Sequence, residues 1–420
     1  MNGNTTRREF LKESGLAAAA VAAGAASTRR AFSQGANERM GVGVIGCGGR
    51  GAEHLKRLAE LKNEGENIEI VAVCDTYRPR AVQKSEKYGG KVYMDHRELL
   101  ADPNVDVVTI ATPDHIHGYQ AIDAVQAKKH VYCEKPVTHW RQFELTKQLA
   151  EEVNKSGCTF QLGSQGMSDQ AWQNMRKMIE EGKIGQPIHA ECGYFRVGDW
   201  GERGMPIDDP NIKPGPDLNW EAFLGDSPKR DFDVSRYFRW RMYEDYSGGP
   251  GTDLFPHSLT PVVYMLGVTM PSSAVATGGK FRYQEREVPD TFNMLIDYPE
   301  NITIAVLGTQ GNDYSGTGAR GAGGKIPVIR GWEATLTIIG EEIVLTPADG
   351  KKESVRFPAG EQERVKGHIL DFLRCCKAGT QPRSPMDLAF YVQTALQMGI
   401  LAHRAGRTAK YEPGEGKILV

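Results

Sequence analysis

The chain of 420 residues holds only 7 cysteines, and they are scattered, so a disulfide scaffold is excluded. It lacks an excess of either charge: 51 basic and 53 acidic side chains leave a formal net charge of −2. A nucleic-acid-binding domain, which relies on a basic face, is therefore not expected. Long apolar runs are also missing. The run Leu16 to Ala26 covers 11 residues, about half of the roughly 20 that a spanning helix needs. Glycine, by contrast, is plentiful at 48 residues, in a composition 40% apolar and 25% charged. That balance is globular and fits neither disorder nor collagen nor a coiled coil. At roughly 150 residues per domain, two or three domains are expected.

Residues 1–36 read as an address and are set aside from the fold. Thr6-Arg7-Arg8-Glu9-Phe10-Leu11-Lys12 precedes the short apolar run and carries the twin-arginine (Tat) export pattern. The expected location is the periplasm or another exported site, reached through the Tat machinery. The segment is too short to be a stable membrane span.

A nucleotide-binding fold is expected over residues 37–163. The apolar strand Met40 to Ile45 runs into Gly46-Cys47-Gly48-Gly49-Arg50-Gly51, a G-x-G-x-x-G pattern, and a helical spacing follows from Ala52. The first glycine permits the turn, the second lets backbone approach a pyrophosphate, and the third allows close helix–strand packing. The helix start offers unpaired N–H groups to the phosphates. A second strand, Ile68 to Cys74, ends at Asp75, placed to accept from the adenosine ribose hydroxyls. NAD is favoured over NADP there, although Arg78 and Arg80 nearby weaken the preference. The alternation continues through a strand ending in Thr112-Pro113-Asp114-His115 and another ending in Glu134-Lys135-Pro136. Strand ends of a doubly wound parallel sheet line the ligand crevice, so both turns face the nicotinamide position.

These residues resemble the glucose–fructose oxidoreductase/inositol dehydrogenase/MocA (Gfo/Idh/MocA) family. The resemblance rests on Gly46 to Gly51, on Ala111-Thr112-Pro113 with His117, on Glu134-Lys135-Pro136, and on the glycine-rich stretch Gly248 to His257, which ends in an Asp-x-x-x-His pair. It implies an α/β Rossmann domain followed, over 164–420, by an α+β domain. That second domain has a large open, mostly antiparallel sheet, often used to form a homodimer or homotetramer. It implies an oxidoreductase acting on sugars or polyols. Lys135 matches the lysine beside the nicotinamide, Asp253 and His257 match the substrate and acid/base pair, and Gln165 falls near the nicotinamide. The cofactor contacts implied are Gly46 to Gly51, Asp75, Thr112, Pro113, Asp114, His117, Glu134, Lys135 and Gln165.

The residue chemistry runs parallel to this. Asp253 and His257 are spaced i,i+4 and on one helix would share a face. Alcohol oxidation needs a base for the hydroxyl proton as hydride leaves, and histidine titrates in the right range. Lys135 is suited to stabilise a developing alkoxide. His115, His117 and His139 have no convincing metal spacing, so no metal is expected. Tyr194 to Trp200 and Phe238 to Tyr243 suggest a polar, aromatic substrate pocket, with Tyr194, Arg239, Trp240 and Arg241 as contacts. If the latter segment is a strand, Arg239 and Arg241 share a face. The alternative for the aromatics is core. Gly308 to Gly324 reads as a glycine-dense loop, either a lid or a surface insertion. Cys375 and Cys376, like Cys47, Cys74 and Cys133, read as core.

Little free NAD is expected outside the cytoplasm, so an exported enzyme would carry its nucleotide. A redox-neutral glycosidase, lyase or epimerase working through a transient keto-sugar is thus the alternative to a dehydrogenase. A non-catalytic, nucleotide-retaining sugar-binding protein is the third reading.

Overall fold

The computed structural model describes residues 39–316, 324–362 and 364–420. The expected export segment and the centre of the glycine-dense loop lie outside these residues. The first sheet holds six parallel strands: β1 (Met40–Ile45), β2 (Ile68–Cys74), β3 (Lys91–Tyr93), β4 (Val107–Ile110), β5 (His130–Glu134) and β6 (Phe160–Gly163). Their order is β3-β2-β1-β4-β5-β6, and every neighbouring pair is parallel. β1 and β4 are buried along their whole length, as their unbroken apolar runs require in a sheet covered on both faces. The order reverses between β1 and β4, which opens the ligand crevice there.

The second sheet has eleven strands. Its members are β7 (Pro187–Val197), β8 (Ser273–Gly279), β9 (Thr291–Tyr298), β10 (Ile302–Thr309), β11 (Gly311–Asn312), β12 (Gly324–Gly331), β13 (Ala334–Ile339), β14 (Glu342–Pro347), β15 (Val355–Pro358), β16 (Ala409–Glu412) and β17 (Lys417–Leu419). All its pairings are antiparallel except β7 with β10. The fold class is the expected one, α/β followed by a mostly antiparallel open sheet. β12 carries Pro327, which cannot donate to the ladder; the register shifts between Lys325 and Val328 to accommodate it.

Two late helices join the halves. Val365–Ala378 returns to the first sheet, where Ile369, Phe372, Leu373 and Cys376 pack with Leu55 and Leu58 of the helix Gly49–Asn63. Met386–Ala405 is buried on most sides: Met386 and Ala389 join the first sheet's core, while Val392, Leu396 and Ile400 join the second's. Cys375 and Cys376 are buried and unbridged.

Two local expectations are corrected. The segment Val234–Phe238 is a helix and Trp240–Met242 a 3₁₀ turn, so Arg239 and Arg241 do not share a strand face. Asp233 caps the helix by accepting from the Arg236 N–H, and Tyr237, Phe238, Trp240 and Tyr246 enter one aromatic cluster with Phe223 and Trp220. Asp253 and His257 are likewise not on one continuous helix. Pro250–Asp253 and Phe255–Leu266 meet at a break on Leu254. Pro256 lacks the N–H that would bond the Thr252 carbonyl and its ring crowds that position.

Candidate active site

The loop after β1 forms a nucleotide cradle. Gly46 takes a φ of +87°, open to glycine without penalty. A Cβ on Gly51 would stand 1.7 Å from the Gly46 carbonyl oxygen, so the helix Gly49–Asn63 can start this close only with glycine. Gly49 has open space where a Cβ would be. This helix has no side-chain cap and no acidic residue in its first turn, which leaves its leading N–H groups suited to a pyrophosphate. Asp75 stands beside the cradle, buried, its Oδ2 accepting from the Cys47 N–H at 2.8 Å and its Oδ1 from Tyr77 N–H at 2.9 Å. Burial pushes its pKa up. Cys47 contributes backbone alone, since its thiol turns inward to the Cys74 carbonyl.

At the ends of β4 and β5 the expected residues divide by role. Thr112 donates to Gln120 Oε1 at 2.6 Å, and Pro113 precedes the helix Asp114–Gln126. His117 does not face the crevice as a cofactor contact. Its Nδ1 lies 2.7 Å from the Pro136 carbonyl and its Nε2 2.7 Å from that of Thr112, so the buried ring braces the two loops against each other. Glu134 is buried too, accepting from Arg50 Nε at 2.7 Å and contacting His54 Nε2 at 2.9 Å. Burial would raise its pKa, but the Arg50 guanidinium and His54 override this and hold it well below the usual carboxylate range. Arg50 reaches on to Gln165 Oε1 at 3.1 Å. It thus crosses the crevice and does not stay at the phosphate loop.

The catalytic candidates meet on Asp253. Lys135 Nζ donates to the Asp253 main-chain oxygen and to Oδ1, the latter at 3.0 Å, while Arg241 Nε donates to the same Oδ1 at 3.2 Å. Burial would raise Asp253, but Lys135 and then Arg241 override it and keep the carboxylate ionised. Two cations on one carboxylate leave a net positive charge. Asp114 accepts from Thr252 Oγ1 at 2.9 Å, one residue before Asp253. His257 is pushed down to about 3, by burial first and then by Lys135 and Arg50. It is therefore a neutral imidazole at ordinary pH, and no group among the described residues hydrogen-bonds its ring. The Tyr194 ring lies 6.3 Å from it, and both border a cavity of about 170 Å³ that Gln165 also lines.

Of the expected substrate contacts, Arg239 donates to the Met205 carbonyl. Trp240 is 8% exposed and belongs to the aromatic core, with the Arg241 guanidinium 4.2 Å from its ring centroid. Lys325 and Arg364 line the His257 cavity, as does the adjacent Ser258; the first two come from distant segments and bear no sequence signature. Nor did the sequence reveal the buried network in which Arg196 and Gln310 both bond Glu202. Among the described residues no three His, Cys, Asp or Glu side chains converge as a metal site.

Burial pushes Asp114 up to about 7, within two residues' reach of the cluster through Thr252. Asp114→Asn is expected to flatten the pH dependence of kcat around pH 7, whereas His257→Gln lowers kcat at every pH. A matched pair of pH–rate profiles checks both. An unchanged inflection near pH 7 in Asp114→Asn would reject the assignment.

A dinucleotide cradle beside a Lys-Asp-Arg cluster and a neutral histidine, under a second open sheet, defines an NAD-binding oxidoreductase of two-sheet architecture. The chain belongs to the Gfo/Idh/MocA oxidoreductase family. Residues 40–164 match its NAD-binding Rossmann fold and residues 168–419 its C-terminal alpha/beta domain. An inositol 2-dehydrogenase of Salmonella paratyphi B is 33% identical over 158 residues, 37% of this chain and 46% of that protein. A scyllo-inositol 2-dehydrogenase (NAD(+)) of Bacillus subtilis is 33% identical over 206 residues, 49% of this chain and 55% of its own. The chain thus spans about half the length of the curated relatives it matches. An oxidoreductase from Agrobacterium radiobacter, solved in complex with NAD+, L-tartaric acid and magnesium, shares the fold with a TM-score of 0.66. It is 16% identical, over 89% of this chain and 98% of its own.

Proposed function

We propose that this protein oxidises a hydroxyl of a sugar, glycoside or polyol with NAD, transferring hydride to the nicotinamide. The observation that carries the reading is the meeting of Lys135 and Arg241 on Asp253 beside a neutral His257. The bound dinucleotide would supply the hydride acceptor. His257, unprotonated, is placed to accept the substrate hydroxyl proton; its pKa of about 3 before substrate binds makes it a weak base, and the negative charge developing on the substrate oxygen offsets Lys135 and raises its basicity. Lys135 stabilises the alkoxide charge that develops, with Asp253, itself fixed by Arg241, holding its ammonium in place. Glu134, through Arg50 and Gln165, fixes the floor of the nicotinamide end. The inositol dehydrogenase activity named for the relatives supports a polyol ring as the substrate class. Asp75 favours NAD over NADP.

The exported location suggested by Arg7 and Arg8 belongs to the same proposal, as does a homodimer or homotetramer through the outer face of the second sheet, where exposed Val275 and Leu295 pair across β8 and β9. Tight cofactor retention, and with it a redox-neutral cycle, is favoured by a segment of the second half that covers the end of β2.

The test is incubation of purified protein with inositols and glycosides, with and without added NAD. NADH accumulation only with added NAD supports the dehydrogenase. Conversion at unchanged oxidation level by protein carrying its own nucleotide supports the redox-neutral cycle. No turnover of any hydroxylated ring, with NAD bound, would reject both.

A further inference from the structure

The end of β2 is tied down by a strap from the second half of the chain. Tyr77 and Leu218 form an antiparallel bridge. Arg78 N–H donates to the Asp217 carbonyl at 2.9 Å, and Asn219 N–H to that of Thr76 at 2.8 Å. The Thr76 and Tyr237 hydroxyls meet at 2.8 Å. On the same strap, Asp208 Oδ2 accepts from Arg80 Nε at 2.7 Å.

Arg80 occupies a sensitive place. Its guanidinium lies 5.2 Å from the Phe238 ring centroid and 5.9 Å from that of Tyr77. Its Nη1 is 3.4 Å from where a Cβ on Gly48 would stand. It therefore sits between the second glycine of the cradle and the loop that Asp75 opens, at the adenosine ribose. An arginine free at this place is what accommodates a 2′-phosphate. Here that arginine is engaged by a carboxylate that no local sequence pattern supplies, 128 residues further along the chain.

We propose that Asp208 is a specificity-determining residue: by pairing with Arg80 it withholds the guanidinium from a 2′-phosphate and, together with Asp75, sets a preference for NAD over NADP. A 2′-phosphate entering the wild-type site would meet two carboxylates around one arginine, and would have to displace Asp208 from its ion pair. The inference rests on nucleotide binding by the glycine loop, as does the proposed function.

The test is calorimetric binding of NAD and NADP to the full chain, without substrate. Asp208 is partly exposed, its side chain at 32%, so Asp208→Asn places no large demand on folding. It is expected to tighten NADP by about tenfold, the scale of removing one nearby like charge, with NAD changed by less than about threefold. Adding Arg80→Ala to Asp208→Asn is expected to cancel the gain. Unchanged NADP affinity in a folded Asp208→Asn, or a gain that survives when Arg80→Ala is added to Asp208→Asn, would overturn the proposal. So would a wild-type protein that binds NADP as tightly as NAD. Wild-type protein that binds neither nucleotide would instead overturn the nucleotide-binding reading on which it stands.

Discussion

Lys135→Ala is expected to lower kcat by about two to three orders of magnitude while NAD affinity stays near wild type. The size is that of losing one preorganised donor aimed at developing negative charge, about 2.7–4 kcal/mol of transition-state stabilisation. Lys135 emerges directly after β5 and spans the gap to Asp253, which lies 118 residues on. Without its ammonium, the cluster falls from two cations and one carboxylate to an Arg241–Asp253 pair with no net charge. The alkoxide would then form against Arg241 alone, whose charge Asp253 already offsets. The glycine loop is on another strand, so a binding isotherm for NAD separates lost chemistry from lost folding. Lys135→Arg is not expected to restore the rate, since a planar guanidinium cannot place its charge where a compact ammonium stood. Turnover unchanged in Lys135→Ala would remove the lysine from the mechanism and revive a sugar-binding protein that merely retains nucleotide.

How much of this could be read from the chain depends on distance along it. The strand, glycine turn, helix and second strand that make the cradle lie within residues 40–75, and each is fixed by local pattern, so the nucleotide fold was legible. Lys135, Asp253 and His257 were legible by type and by their setting beside glycine and proline. Their geometry was less so. The i,i+4 spacing suggested one helix, yet Pro256 was in view and its missing N–H accounts for the break at Leu254. Pairings that cross the fold left no trace in the sequence: Arg50 to Glu134, Arg80 to Asp208, and the return of Val365–Ala378 to the first sheet. Trp240 shows the reverse difficulty. An aromatic between two arginines has the same sequence whether it faces a sugar or fills a core, and only the packing around Tyr237 and Phe238 decides for the core.

Glu134→Ala is expected to destabilise the fold by about 3–5 kcal/mol, the usual effect of removing one partner from a buried ion pair. Glu134 resembles a cofactor ligand by its motif, yet its carboxylate faces Arg50 and His54, and the approach of Gly163 is so close that a Cβ there would lie 2.8 Å from it. Alanine would leave the Arg50 guanidinium with Gln165 as its remaining side-chain partner across the crevice. Glu134→Gln, which keeps the shape and one acceptor, is expected to lose less. The pH dependence separates this role from simple packing. The folded carboxylate titrates below its unfolded value of about 4.3. Its stabilisation is therefore complete above about pH 4.3 and is lost as the pH falls further, because the unfolded chain takes up the proton first. Denaturant titrations of wild type and Glu134→Gln at neutral and acid pH check this: the stability difference between them should shrink as acid is added. A difference that stays constant down to acid pH would mean that the Glu134 charge contributes nothing, and that Arg50 is held across the crevice by other groups.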